Sequence, residues 1–160
     1  IEELEPDGQT NDPETLGITG AIYKQLWLLN SDISSLDRAI DYYGKCYKIR
    51  NDYYTGENYA LCLSLKAFNE TDNDEKIYAQ VLAKKVRKEI INDLTDLLKY
   101  DDITGRLDEK WIYATISHCS LAIGDNVNHE KFEKKFLESG IVDWEKATFE
   151  KNKELLIKII

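Results

Sequence analysis

Residues 12–67 read DPETLGITGAIYKQLWLLNSDISSLDRAIDYYGKCYKIRNDYYTGENYALCLSLKA, and this stretch decides the fold. Asp12 suits a helix N-cap, and Pro13 suits the first helical position, where its missing N–H costs nothing. The apolar periodicity that follows predicts a first helix over Pro13–Asn30. Gly17 and Gly20 lie on one face of it. Glycine inside a helix costs about 1 kcal/mol against alanine, so a neighbouring helix is expected to approach closely there. A second helix is predicted over Ser35–Ile49, capped near Ser34. Its inner face carries Ala39, Tyr43 and Cys46, with Leu36, Ile40 and Tyr47 alongside. Asp52-Tyr53-Tyr54-Thr55-Gly56-Glu57-Asn58 then reads as a tight aromatic-glycine turn into a third helix over Gly56–Phe68. That helix bears Tyr59, Leu61, Cys62, Leu63 and Leu65, and is apolar nearly all round, as an inner helix should be.

Outward from this stretch the same pattern continues. Asp72 and Glu75 have capping-box spacing for a long helix over 75–100, with Ile77, Val81, Ile90, Leu94 and Leu97 as its apolar stripe. A fifth helix is predicted over Asp108–Ile123, stopped by Gly124. A sixth, over 128–138, is anchored by Phe132 and Phe136, and a last one runs from an Asp143 cap to Ile160. The fold class is therefore all-α: about seven helices in an array of antiparallel hairpins. They pair one-two, three-four and five-six, with the seventh closing the array. Such arrays present a groove lined by the first helix of each hairpin and usually carry no chemistry of their own.

A chain of 160 residues suits one domain, here 12–160, preceded by an acidic leader over 1–11. The net charge is −9, but residues 1–15 hold six acids (Glu2, Glu3, Glu5, Asp7, Asp12, Glu14) and no base. The remainder carries 24 acids against 21 bases. A near-neutral body lacks the basic face that nucleic-acid binding needs. No apolar run approaches the roughly 18 residues that span a bilayer. Cys46, Cys62 and Cys119 lie singly in helical patterns, as buried reduced thiols of a cytoplasmic protein do. The sequence starts at Ile1 and contains no methionine, so a fragment of a longer protein is expected.

No P-loop, Gly-rich dinucleotide motif, nucleophile elbow or zinc-helix motif is present, and no catalytic residue, cofactor or metal is expected. His118 and Cys119 are adjacent on a helix and point about 100° apart, too far to share one metal or act as a dyad. Two candidate binding groups remain. Tyr53, Tyr54 and Asn58 are suited either to a groove, with the Asn58 amide on a partner's backbone, or to packing the turn and capping the helix. Lys84, Lys85, Arg87 and Lys88 offer a basic cluster for an acidic segment or anionic ligand, or else a solvated face paired with Glu89 and Asp93. The apolar tail Leu155, Leu156, Ile157, Ile159 and Ile160 leaves a homo-oligomer open through the C-terminal helix.

Several of these residues together resemble a known family. Asp12-Pro13-Glu14-Thr15-Leu16-Gly17, Ile22-Tyr23-Lys24, Ala39-Ile40-Asp41-Tyr42-Tyr43, Asp52-Tyr53-Tyr54 and Gly56-x-Asn58 are similar to the TRAF-binding domain. So are Trp111, Ala114 and Thr115, then Gly124-Asp125, then Trp144, Ala147 and Thr148. That tetratricopeptide-like domain occurs in apoptosis-signal-regulating kinases and in multidomain bacterial signalling proteins. Its turn usually has proline where Thr55 stands here. The resemblance implies a non-catalytic interaction and regulatory scaffold inside a larger signalling chain, meeting a protein partner or its own neighbouring domains. The alternatives from other classes are a sensor of a small anionic, nucleotide-like ligand and a structural spacer or dimerisation element.

Overall fold

The computed structural model describes residues 10–160, so the acidic leader lies, up to residue 9, outside the described residues. Among those described the chain forms seven α-helices and no strand. They are α1 (Pro13–Asn30), α2 (Ile33–Arg50), α3 (Tyr53–Asn69), α4 (Asn73–Tyr100), α5 (Glu109–Ile123), α6 (Asn126–Leu137) and α7 (Asp143–Ile159). Two compact units divide inside α4, one ending at Ala83 and the other spanning Lys84–Ile160.

Aspartates set the starts of the first three helices. Asp12 Oδ2 accepts from the Thr15 N–H at 2.9 Å. Asp32, not the predicted Ser34, caps α2: its Oδ2 accepts from the Ser35 N–H at 3.1 Å and the Ser35 hydroxyl at 2.8 Å. The helix therefore starts two residues earlier than its apolar pattern suggested. At α3 the correction is larger, because the 53–58 segment is not a turn. Asp52 Oδ1 accepts from the Thr55 N–H at 2.8 Å and Oδ2 from the Thr55 hydroxyl at 2.9 Å, so the aromatic pair opens the helix. The reversal is made just before it, by Asn51 at φ 51°. A hydroxyl at position 55 thus takes part in the cap, which a proline there would not do.

In the first unit α1 packs on α2, and α2 on α3. The expected glycine contact is present at Gly20, where an added Cβ would lie 3.0 Å from Tyr43 Cγ; at Gly17 the nearest atom, Cys46 Sγ, is 3.8 Å away. Leu16, Leu36, Ala39, Tyr43, Cys46, Cys62 and Leu65 are buried around this contact. Between α3 and the start of α4 the joint is made of Leu63, Ala67, Ala79 and Ala83, with Ile40, Tyr59 and Leu82 against it. The predicted stripe of α4 is corrected here, since Ile77 and Val81 are 48% and 62% exposed. The inward positions are the small Ala79 and Ala83, which allow close approach but do not stand out in an apolar pattern.

The second unit is built on α5, which packs against α6 and α7. The rings of His118, Phe149 and Phe136 form a stack, with centroids 4.4 Å and then 4.6 Å apart. Phe132 and Phe136 are buried, as predicted for α6. Asp125 caps that helix, accepting from the Asn128 N–H at 3.1 Å, so it starts two residues earlier than the expected 128. Two polar ties join the helices. Ser117 Oγ lies 2.9 Å from His129 Nδ1. Lys110 Nζ lies 2.7 Å from Glu145 Oε1, and Glu145 Oε2 accepts from the Val142 N–H at 3.0 Å. Glu145 therefore sets the start of α7, and Asp143, expected as the cap, is its first residue. In the tail Leu156 is buried, whereas Ile157 and Ile160 are exposed.

The two glycines predict opposite outcomes. Gly17→Ala should stabilise by up to about 1 kcal/mol, because alanine is the better helix former and space exists for its methyl. Gly20→Ala should destabilise, since overpacking against a fixed ring costs about 1–3 kcal/mol and exceeds that gain. Urea unfolding of both variants checks this. The Lys110 ammonium, followed by the Val142 N–H, holds the Glu145 carboxyl below the usual glutamate value. Its stabilisation is therefore full above the unfolded-state glutamate range and is lost as pH falls through the lowered native value. Thermal midpoints recorded down this range should fall less steeply in Glu145→Gln than in the wild type.

Candidate binding site

The sequence of α1 carries a single base, Lys24, one turn beyond Gly20. Its side chain is half-buried and reaches α3, where Nζ donates to Asn58 Oδ1 at 2.5 Å. The ammonium also lies 5.9 Å from the centroid of the Tyr43 ring, within the range of a cation–π attraction. Burial lowers the Lys24 pKa below the usual lysine value, while Cys62 and Glu57 act in the opposite sense.

Asn58 is fixed from both sides. Its Nδ2 donates to the Tyr54 carbonyl at 2.9 Å, so its oxygen is the atom presented to Lys24. Asn58 thus holds the ammonium through its oxygen, with one of its two amide N–H donors taken by the Tyr54 carbonyl. Tyr54 is 63% exposed at the margin, and Tyr53 is half-buried. Below lies Tyr43, which is 0% exposed and whose hydroxyl has no hydrogen-bond partner among the described residues. Burial first, then Cys62, Tyr54 and Cys46, raise its pKa. Burial pushes the Cys62 thiol up to about 12, with Lys24 opposing. This cysteine is a neutral thiol, not a nucleophile.

On the α1–α2 side, Tyr23 and Tyr42 stack with parallel rings 5.8 Å apart. Arg38 Nη1 donates to the Tyr23 hydroxyl at 2.6 Å. The arrangement offers cations, aromatic surface and one oriented amide, which suits recognition rather than bond making.

The other candidate group belongs to the second unit. Lys84, Lys85 and Lys88 are exposed on α4, whereas Arg87 is turned inward and 4% exposed. His118 and Cys119 are both buried. His118 Nε2 lies 3.2 Å from the Phe149 carbonyl, a core contact. Among the described residues no group of three or more His, Cys, Asp or Glu side chains is arranged to hold a metal ion.

A family model described as "TPR-S: Tetratricopeptide Repeats-Sensor" matches residues 1–63. No curated protein and no solved structure matches the chain. Residues 1–63 thus correspond to a tetratricopeptide-like helical repeat domain, in agreement with the α1–α2 hairpin and the start of α3. No helix among the described residues is long and apolar enough to cross a membrane.

The sequence pointed to Tyr54 and Asn58 but not to Lys24, Tyr43 or Arg38 as members of a site. One signal was available for Lys24: a lone cation inside an otherwise apolar helix. Asn58→Ala should cost about 1–3 kcal/mol, the range for losing a partly buried hydrogen bond to a charged group. Tyr54→Ala, whose carbonyl still serves Asn58, should stay within about 0.5 kcal/mol. Chemical unfolding of the two variants checks the contrast.

Proposed function

We propose that this chain is a non-catalytic interaction and regulatory scaffold of the TRAF-binding type within a larger signalling protein. It engages a protein partner, or neighbouring domains of its own chain, through the face that α1 and α3 share. The observation that carries the reading is the Lys24–Asn58 bridge between those helices, with Tyr54 exposed beside it. A lysine of this kind joins two helices while leaving donors for a ligand. Lys84 and Lys85 are proposed as further contacts for an acidic partner segment. Arg87, being buried, reaches such a segment only if the packing around it opens.

A second reading is sensing of a small anionic, nucleotide-like ligand, and the word "Sensor" in the matching family's description supports it. A spacer or dimerisation role through Ile157 and Ile160 has only their exposure in its favour.

The test compares capture from native extract by the wild type, by Tyr54→Ala and by a Lys84→Glu/Lys85→Glu variant. A partner lost with Tyr54→Ala locates the contact on the α1–α3 face. One lost only with the charge reversal locates it on α4. Silence in all three, together with thermal stabilisation by a nucleotide panel, favours the sensor. A ligand at 100 times its Kd adds about 2.7 kcal/mol of stability.

A further inference from the structure

We infer that Lys24 is the seat of a singly charged anionic oxygen group, which its ammonium, positioned by Asn58, receives on the α1–α3 face. The inference rests on the scaffold reading and adds the chemical class of what that face takes.

Three observations lead to it. First, among the described residues no ion pair involves the Lys24 ammonium, although carboxylates pair with Lys66, Lys110 and Lys153. Its one hydrogen-bond partner among the described residues is a neutral amide oxygen, which leaves two of its three N–H donors for another acceptor. Second, Asn58 is itself anchored to the Tyr54 carbonyl, so the ammonium is held in place before any ligand arrives. Pre-organisation of this kind removes part of the ordering cost of binding. Third, the buried Tyr43, whose ring centroid lies 5.9 Å from the ammonium, has a hydroxyl with no partner among the described residues, a condition that native structures seldom leave without a reason.

Energetics point the same way. Burial disfavours the charged form of Lys24, and a bound anion offsets that penalty by interacting with the ammonium at short range. A single ammonium, with the Glu57 carboxylate already acting on it, matches a charge of one, such as a carboxylate or a phosphodiester, better than a polyphosphate. Cys62 cannot compete for this role, because its thiol stays protonated at neutral pH.

The test uses the whole chain and two monoanionic probes at matched ionic strength: acetyl-glycyl-glycine for a polypeptide carboxylate and dimethyl phosphate for a phosphodiester. The 13Cε resonance of Lys24 is followed by NMR through pH titrations with and without each probe. The expected result is that at least one probe moves the Lys24 midpoint upward and raises the thermal midpoint. Whichever probe acts names the source of the anion. Lys24→Met should weaken that probe's binding by about tenfold or more, equivalent to about 1.4 kcal/mol. If neither probe moves the Lys24 midpoint, or if stabilisation persists unchanged in Lys24→Met, the inference is wrong. The titration on the unmodified chain decides the matter even if the variant folds poorly. A partner captured through Tyr54 with no response at Lys24 would leave the scaffold reading intact and remove only the anion seat.

Discussion

The first unit depends on the contact between Gly20 and the Tyr43 ring. With no Cβ at position 20, α1 comes close enough to α2 for the ring to occupy the space a methyl would need. That contact fixes the ring, and the rest follows from where its two ends lie. Its face lies beneath the Lys24 ammonium, one helical turn along α1. Its hydroxyl is enclosed without a partner among the described residues, and burial above all raises its pKa. Packing between two helices thus positions the polar groups that a third helix completes through Asn58.

The second unit is organised differently. Its helices are held by aromatic stacking and also by buried polar ties, of which Lys110–Glu145 and Ser117–His129 are the clearest. Glu145 is only 4% exposed, yet it is satisfied by an ammonium and a backbone N–H together. A carboxylate buried with both partners in place fixes the start of α7 as well as its contact with α5. Removing one partner would leave the other uncompensated, which is the costly case for a buried pair.

Much of the architecture was legible because helix formation leaves strong local marks. Asp12-Pro13, the glycine at 124 and the phenylalanines at 132 and 136 each act within one turn of chain, and each is found where the sequence placed it. Errors arose where a competing residue acted at a distance of two or three positions. Asp32 outcompeted Ser34 as a cap, and Asp52 turned an apparent aromatic turn into the first turn of a helix. On α4 the large residues Ile77 and Val81 suggested the buried face, but close packing selected Ala79 and Ala83 instead. The site was legible only in part. Asn58 is visible as an amide in an unusual segment, whereas its meaning depends on Lys24, 34 residues earlier. No local pattern reports a pairing across that separation.

The cysteines have a further consequence. Cys46 and Cys62 lie in the first unit and Cys119 in the second, all buried and none in a disulfide. A buried sulfur reacts with alkylating reagents only when its surroundings open, so each thiol acts as an internal clock for its own unit. Labelling rates at 46 and 62 would therefore time the opening of the α1–α3 region, and the rate at 119 the opening of the helices around α5. The chain already contains a two-channel reporter of local unfolding, with no residue added.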